Sequence, residues 1–515
     1  MKLGYNCKDM KDKFAIIFIV ILGIVMYGLT LHGDIGNPTV GEFKDKLDQA
    51  TNAFELSPER GRYIHIANMA DSGVYNLSPE WGAVAYPDVG ISKKGKINSY
   101  FAPGVAYIAL PFYIIGNKFG LAQVAAFSVE ALVSIITLIF IYLIGRRVFS
   151  LPKPVAFFTV LIYGFASVSW SYSTTLYQHA FSTFFIVTGF YAVWRFSKND
   201  SKYSWVYASY VWLAYALALS VDYPNAVLML PVMVYFAISA FPSQKVMGNV
   251  SVSIRWAAIL TFIVFAFVIG LQFWHNATYY NGWSSLAGEL QKYKPTTITS
   301  DSLATTTVKE KTAIGFFHEY RIPNGFYVLL FSAERGLFFF SPIFIFSLLG
   351  VWHVIKKKTA NGVVYIVPLS LIAVNIFLYS SWGDPWGGWA YGPRYLIPSM
   401  PWLALFVGVA LSYKQKFWKI LLACLFFLYS SAIALLGVLT SNVVPPRSEA
   451  ILLPIKTYNF LHDIPFLLDN KSNSFIYKVY FADKLTLLGY LLSIYVIVLI
   501  VVFIMLFMLY NKKDE

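Results

Sequence analysis

A chain of 515 residues with 57% hydrophobic and only 13% charged side chains cannot clothe a soluble globule, so its composition points to a polytopic membrane protein. The net charge of +14 suggests nucleic acid, yet half of the 40 Lys and Arg fall in short segments on one side of the expected topology. No run is dense enough for a nucleic-acid patch, and two cysteines, Cys7 and Cys424, exclude a disulfide framework.

Met1 to Lys13 carries Lys2, Lys8, Lys11 and Lys13 and reads as cytoplasmic. The apolar run from Phe14 to Leu31 is long enough to cross a bilayer. No small-residue cleavage site follows it, so it is expected to remain as an uncleaved span. The stretch 32–118 contains no spanning run and is read as a long external loop. Within it, 102–116 is apolar but short and interrupted by Pro103, Gly104 and Pro111. The next run, Phe119 to Leu143, ends in Arg146-Arg147 and must travel inward. The 102–116 segment is therefore expected to lie in the outer interface as a juxtamembrane or re-entrant helix.

Further apolar runs lie near 154–170, 178–194, 204–222, 224–242, 257–277, 337–355, 362–381, 395–412, 418–441 and 485–509. If they alternate, the connectors with Arg195 and Lys198, Lys245 and Arg255, Lys356 to Lys358, Lys414 to Lys419, and Lys512-Lys513 are all cytoplasmic. The expectation is an all-α polytopic protein, one domain over 1–515, with about 12 spans of ordinary length. Both termini are then cytoplasmic and the protein sits in the plasma membrane. The longer connectors 32–118, 278–336, 382–394 and 442–484 all fall outside, which places chemistry on the external face. No internal repeat is visible, which weighs against an inverted-repeat transporter.

The first loop holds the stretch Ser57-Pro58-Glu59-Arg60-Gly61-Arg62-Tyr63. Ser57 suits a helix N-cap and Pro58 the first helical position, which puts Glu59 in the first turn, where the helix dipole favours its charge. Glu59 and Tyr63 then share a face at i, i+4. The following residues read as an amphipathic helix able to lie along the membrane. A carboxylate held this way can take a proton from an acceptor hydroxyl, although an ordinary capped surface helix has the same spacing. Asp34, just beyond the first span, and Asp88, after Pro87 in what reads as a turn, are alternative bases.

Later in the chain come Leu329-Leu330-Phe331-Ser332 with Arg335-Gly336-Leu337-Phe338, and then Trp386-Gly387-Gly388-Trp389-Ala390-Tyr391-Gly392-Pro393-Arg394-Tyr395-Leu396-Ile397-Pro398. A guanidinium at the mouth of a span, Arg394 with Arg335 behind it, suits a phosphate leaving group. The glycines allow close backbone approach, and Trp389 and Tyr391 offer flat faces to a sugar or an isoprenyl chain. An interfacial aromatic belt with a snorkelling Arg would explain the aromatics but not three glycines in six residues.

These two motifs, with the first-loop stretch and Tyr100-Phe101-Ala102-Pro103-Gly104, resemble the multi-span GT-C glycosyltransferases. The likeness is to the aminoarabinose transferases and the protein O-mannosyltransferase superfamily, and it covers most of the chain in order. It implies a GT-C-like bundle and transfer of a sugar, with inversion, from a polyprenyl-phosphate donor to a lipid, glycan or protein acceptor. Glu59, the expected base, stands where the family usually has Asp, and Arg62-Tyr63 match its Arg-Tyr pair. Arg62, Tyr63, Tyr100, Tyr177, His179, Arg335, Trp389, Tyr391, Arg394 and Tyr395 are the expected substrate-binding residues. The second external loop, Ser171 to His179, lacks the carboxylate that family members often carry there, and Ala102 replaces a basic residue. No metal ligands cluster at usable spacing, so a divalent cation is not indicated, and the partners expected are the lipid-linked donor, the acceptor and membrane lipids. The competing class is a transporter or flippase for a lipid-linked or anionic substrate, with the span acids Glu130 and Asp222 as coupling residues. A membrane scaffold is the weakest alternative.

Overall fold

The structure, a computed structural model, describes residues 3–38, 54–198, 203–246, 249–293, 313–357, 362–413, 417–454 and 456–510. Lys2, Lys358, Lys414, Lys416, Lys512 and Lys513, on which part of the charge argument rests, lie outside the described residues.

Helix α1 (Leu3–Thr30) leads into the first loop, which folds as α2 (Ser57–Ser72), α3 (Pro79–Ala85), a hairpin of β1 (Val89–Ile91) and β2 (Ile97–Ser99), and α4 (Gly104–Asn117). The bundle continues with α5 (Ala122–Arg147), α6 (Lys153–Phe165), α7 (His179–Ser197), α8 (Ser204–Val221) and α9 (Leu230–Ala240). After the hairpin β3 (Ser243–Val246) and β4 (Asn249–Val252) come α10 (Phe262–Tyr279), strand β5 (Gln291–Lys292) and α11 (Ile322–Leu330). The last helices are α12 (Ile345–Lys357), α13 (Gly362–Ser380), α14 (Met400–Ser412), α15 (Phe417–Leu439) and α16 (Leu487–Tyr510).

Every expected run is helical, but among the described residues only 8 helical stretches are long and apolar enough to cross a membrane. They fall at 12–30, 122–147, 204–221, 256–279, 362–380, 394–412, 417–439 and 487–504, and make this a multi-pass membrane protein. The shortfall from about 12 has local causes. With 13 residues, α6 is about 20 Å long at the usual helical rise, less than a bilayer core. The Ser182, Thr183 and Thr188 hydroxyls of α7 dilute its apolarity, and two of them bond back to the preceding turn, Thr183 to the His179 carbonyl at 2.8 Å and Thr188 to that of Phe184 at 2.6 Å.

Packing separates inner helices from outer ones. Helices α6, α7 and α14 are buried over almost their whole length, whereas α10 exposes Ile263, Phe267, Leu271 and Trp274. Large apolar side chains on the outside of a bundle with satisfied helical backbones are what a hydrocarbon solvent requires.

The all-α expectation fails in the loops. Strands β1 and β2 pair antiparallel with Val89 opposite Ser99, and β5 joins β1 with Ile91 opposite Gln291, so the first loop and the 278–336 loop share one small sheet. The hairpin turns at Gly95, whose φ of 75° is in the left-handed region that favours glycine.

Helix α2 is also not the surface helix its sequence suggests. Glu59 and every residue from Gly61 to Met69 are buried, because α4, α3 and β2 pack around it. Its N-cap is Leu56, which makes no side-chain cap, and the Ser57 hydroxyl instead donates to the Asp88 carboxylate. With 14 residues, about 21 Å, α4 is too short to cross. Its first residue must be Gly104, since a Cβ there would lie 2.5 Å from the Ser220 carbonyl oxygen at the end of α8.

His65 shows how α2 tolerates burial. Its ring stacks on Tyr75 at 4.2 Å, Nδ1 donates to the Tyr75 carbonyl at 2.9 Å, and Nε2 accepts the Ser99 N–H at 2.9 Å. Burial lowers this imidazole to about 4. The unfolded chain takes up that proton near 6.5, as free His does, so the contribution is complete above about 6.5 and fades as pH falls towards 4. The expected outcome is a melting temperature in detergent that drops across this window, with a loss on the order of 3 kcal/mol from this residue. His65→Asn should flatten the decline, and an unchanged slope would remove His65 as its source.

Candidate active site

Between α6 and α7 the chain reads Ser171-Tyr172-Ser173-Thr174-Thr175-Leu176-Tyr177-Gln178-His179, and all of it except Gln178 is buried. Such a polar segment inside an apolar bundle needs internal partners. Thr174 offers its carbonyl to the His32 N–H at 3.1 Å, and Ser134 donates to the Ser173 hydroxyl at 2.8 Å. The Tyr172 hydroxyl takes the Tyr391 N–H at 3.0 Å. The segment is thereby fixed to α1, α5 and the loop before α14, and it forms the floor on which the candidate residues meet.

Glu59 reaches this floor from the first loop. Its carboxyl is 1% exposed, lies beside the Thr175 hydroxyl and is backed by the Glu55 backbone amide. Burial, with the Glu55 charge second, pushes Glu59 well above the usual carboxylate range. Arg62, one turn on, donates from Nη2 to Gln178 Oε1 at 2.6 Å and lies 4.6 Å over the Phe101 ring. Burial lowers its guanidinium to about 10 against the opposing pull of Asp222 and Glu130.

Arg394 arrives from the opposite side. Its Nη2 donates to the Gly387 carbonyl at 2.7 Å, and its guanidinium stands 5.9 Å from the Tyr177 ring and 5.5 Å from the Tyr395 ring. His179 packs edge-on against Tyr395 at 6.3 Å. Glu59 and Arg394 therefore approach the same short turn, Glu59 at Thr175 and Arg394 at Tyr177.

The turn also gathers buried polar atoms that have no hydrogen-bonding partner: Glu59 Oε2, Arg62 Nε, Thr175 Oγ1, the Tyr177 hydroxyl, His179 Nε2 and Arg394 Nε. Such atoms are rare in native interiors, and their concentration marks a place where a polar ligand or water would be bound. Gln178, Asp222, Arg394 and Tyr395 are partly exposed, whereas Glu59 is buried. The apolar groove lined by Leu22, Met26, Phe165, Phe427 and Val498 lies elsewhere, among α1, α6, α15 and α16, and carries no polar group.

Several expected residues have other surroundings. Tyr63 is fully buried in an aromatic cluster with Phe54, Tyr113 and Phe127 at 5.0, 5.5 and 6.4 Å, so it holds α2 against α4 and α5. Asp34 is ion-paired with Lys478, and Asp88 accepts from Ser57 while its carbonyl takes the Tyr100 N–H at 3.0 Å. Tyr391 is 0% exposed, its hydroxyl donates to the Ile433 carbonyl at 2.7 Å, and its ring packs on Phe340, so it presents no face to a sugar. Trp389 is tied at the rim by its indole N–H to Glu449, at 2.5 Å.

Arg335 is fully buried beneath this loop. Its Nε donates to the Trp386 carbonyl at 2.9 Å, Nη1 to that of Glu334 at 2.8 Å, and Nη2 to those of Gly388 and Val444 at 3.1 and 2.9 Å. With four of five N–H groups engaged by carbonyls, it shapes the 386–395 loop rather than facing a phosphate. The glycines serve the same turn, since Gly387, Gly388 and Gly392 have φ of 74°, 62° and 63°.

Sequence reading overlooked Glu55, a hub of the site. Its carboxylate accepts the Asn442 N–H at 3.0 Å, Asn442 Nδ2 at 2.7 Å and Asn473 Nδ2 at 2.6 Å, and lies 3.9 Å from His32 Nδ1. It joins the first loop to the 442–484 loop, and an acid four residues before Glu59 was the available signal. Among the described residues no three His, Cys, Asp or Glu side chains converge as metal ligands would.

Residues 102–271 match the family model described as dolichyl-phosphate-mannose-protein mannosyltransferase. No curated protein matches the chain. Among solved structures, ArnT from Cupriavidus metallidurans bound to undecaprenyl phosphate is 14% identical, with a TM-score of 0.46 over 93% of this chain and 76% of that one. The apo oligosaccharyltransferase of Archaeoglobus fulgidus is 11% identical, with a TM-score of 0.43 over 85% of this chain and 57% of that one. Overlaps this loose carry none of the argument that follows.

Arg335→Lys should lower stability by on the order of 3 kcal/mol, because an ammonium cannot reach four carbonyls and leaves buried acceptors unsatisfied. The thermal unfolding midpoint in detergent checks this, and an unchanged midpoint would show that the four bonds contribute little.

Proposed function

We propose that this chain, whose residues 102–271 match the family model described as dolichyl-phosphate-mannose-protein mannosyltransferase, is an integral membrane glycosyltransferase of the GT-C type, taking a sugar from a polyprenyl-phosphate donor. The observation that carries the reading is the convergence of Glu59 and Arg394 on the Thr175–His179 turn, among buried polar atoms without partners. An acid and a guanidinium a few side chains apart are what inverting transfer from a lipid phosphate requires. Glu59 takes the proton of the acceptor hydroxyl, whose oxygen attacks the anomeric carbon from the face opposite the phosphate. The anomeric C–O bond to phosphate breaks, its electron pair stays on the phosphate, and Arg394 stabilises the charge that develops there. Arg62 and His179 complete the polar surroundings, with Tyr100 and Trp389 at the periphery. Asp34 and Asp88 serve as bases in this reading only if Glu59 proves dispensable.

The site faces outward in this reading, with both termini cytoplasmic and about 12 membrane crossings, the shorter helices packing beside the full-length ones. The acceptor is a lipid, glycan or protein hydroxyl. The transporter reading draws on Glu130, whose carboxyl is fully buried in α5 beside the Tyr177 backbone. Transport that survives Glu59→Gln and is lost in Glu130→Gln would favour it.

Glu59 acts as a base only when ionised, and burial raises its pKa. The acid limb of kcat/KM should therefore lie above the ordinary carboxylate range, with activity lost as pH falls through it. Glu55→Gln removes the neighbouring charge and should move that limb to lower pH. Glu59→Gln should abolish transfer from polyprenyl-phosphate sugars by purified, folded protein, and full activity would remove Glu59 from the mechanism. Arg394→Ala should lower kcat by about 100-fold or more, the usual scale for one donor to a developing oxyanion. Unchanged turnover in that variant would place the phosphate elsewhere.

A further inference from the structure

The last carbonyls of α10 have no donor within the helix and must be satisfied from outside it. The turn of the β1–β2 hairpin does this. Lys94 Nζ donates to the Ala277 carbonyl, Asn98 Nδ2 to that of Tyr279 at 3.1 Å, and the Lys93 N–H to Asn281 Oδ1 at 2.7 Å. Lys96 Nζ stands 4.9 Å from the centre of the Tyr279 ring. Ser92 closes the turn, its N–H donating to the Lys96 carbonyl at 2.9 Å and its hydroxyl accepting the Lys96 N–H at 3.1 Å.

Capping a helix end, where the dipole favours a cation, explains one lysine and not four. Lys292 lies on β5 opposite Gly90 of β1, and so joins Lys93, Lys94 and Lys96 at the same small sheet. Segments 89–99 and 291–293 contain no Asp or Glu. Among the described residues no carboxylate forms an ion pair with Lys94, Lys96 or Lys292. Lys93, Lys94 and Lys292 are exposed, and Lys96 is half-buried.

This cluster sits at the end of a helix whose length and apolarity fit a membrane span. Along it Phe267, Leu271 and Trp274 face outward, and the exposed Trp283 lies just past its end, with its ring 5.1 Å from Phe273. Exposed tryptophans gather at the level of lipid headgroups. Cations beside an exposed apolar helix face match an amphiphile with an anionic head and hydrocarbon tails. The Lys94 ammonium has further N–H donors beyond the one used on Ala277.

We propose that the hairpin turn, with Lys292, binds the headgroup of an anionic phospholipid. The phosphate oxygens accept from the lysine ammonium groups, and the acyl chains lie along the Phe267–Trp274 face of α10. The inference needs the membrane reading of the bundle but not the glycosyl-transfer one.

Full-length protein in phosphatidylcholine nanodiscs tests this. The probes are phosphatidylglycerol and phosphatidylcholine brominated on their acyl chains, and the readout is tryptophan quenching. The wild-type chain should prefer brominated phosphatidylglycerol by about 10-fold or more, at about fivefold per lysine, and the preference should shrink as salt rises. Lys94→Gln/Lys96→Gln should remove most of it, since glutamine can still cap Ala277 but carries no charge. Lys292→Gln should lower it by about fivefold, and Trp274→Phe should diminish the excess quenching. Equal quenching of the wild-type chain by both lipids overturns the proposal, as does a preference unchanged in both lysine variants. If the double variant fails to fold, Lys292→Gln decides alone. Loss of the preference on adding soluble glycerol phosphate would make this a site for free phosphate and overturn the lipid assignment. Polyprenyl phosphate should bind the double variant as it binds the wild-type chain. A double variant that loses polyprenyl phosphate and keeps its preference for phosphatidylglycerol also overturns the proposal.

Discussion

The structure depends on how a membrane bundle accommodates the polar segment 171–179. In an apolar interior each hydroxyl, amide and carbonyl must find a partner, and the helices around this segment are arranged so that most do. Ser134 and Tyr391 approach it from opposite sides, and the Trp170 indole N–H donates to Thr30 at 3.0 Å. Where partners run out, around Thr175, Tyr177 and His179, the first loop brings Glu59 and the loop before α14 brings Arg394. Structural satisfaction at one end and its lack at the other define the site on a single turn.

The loops that carry the acid and the guanidinium are folded as firmly as the helices. Buried Tyr63 and His65 anchor α2 on opposite faces, which fixes Glu59 in its first turn. Arg335 binds the carbonyls of Trp386, Gly388 and Val444, which curls the 386–395 loop and aims Arg394 at Tyr177. Glu55 then links the first loop to Asn442 and Asn473. Residues far apart in sequence are held as one unit, as preorganised electrostatics demands.

Charge in this low-dielectric setting acts over several side chains. Arg62 is opposed by Asp222 and Glu130 while Arg394 repels it, and Glu59 has Glu55 beside it. The arrangement keeps the Glu59 carboxyl reluctant to ionise, which in the proposed reading suits a group that must accept a proton from a hydroxyl.

Much of this was legible in the chain. Long apolar runs bounded by Lys and Arg give the membrane helices, and Glu59, Arg62 and Arg394 stand out by residue type and spacing. The α2 periodicity misled, because a run such as Ile64-His65-Ile66-Ala67 looks half-polar until Tyr75 and Ser99 are seen to satisfy His65. Arg335 and Tyr391 looked like ligand-facing groups, and nothing in linear order reveals that carbonyls from 386, 388, 433 and 444 consume their donors. Composition and local pattern alone determined the solvent, the helical class and the chemical kinds of the candidate residues, since hydrophobic length and residue type are properties of the chain itself. Only tertiary packing decided which acid reaches the 171–179 segment and which guanidinium is used for structure, because hydrogen-bond satisfaction depends on groups hundreds of residues apart.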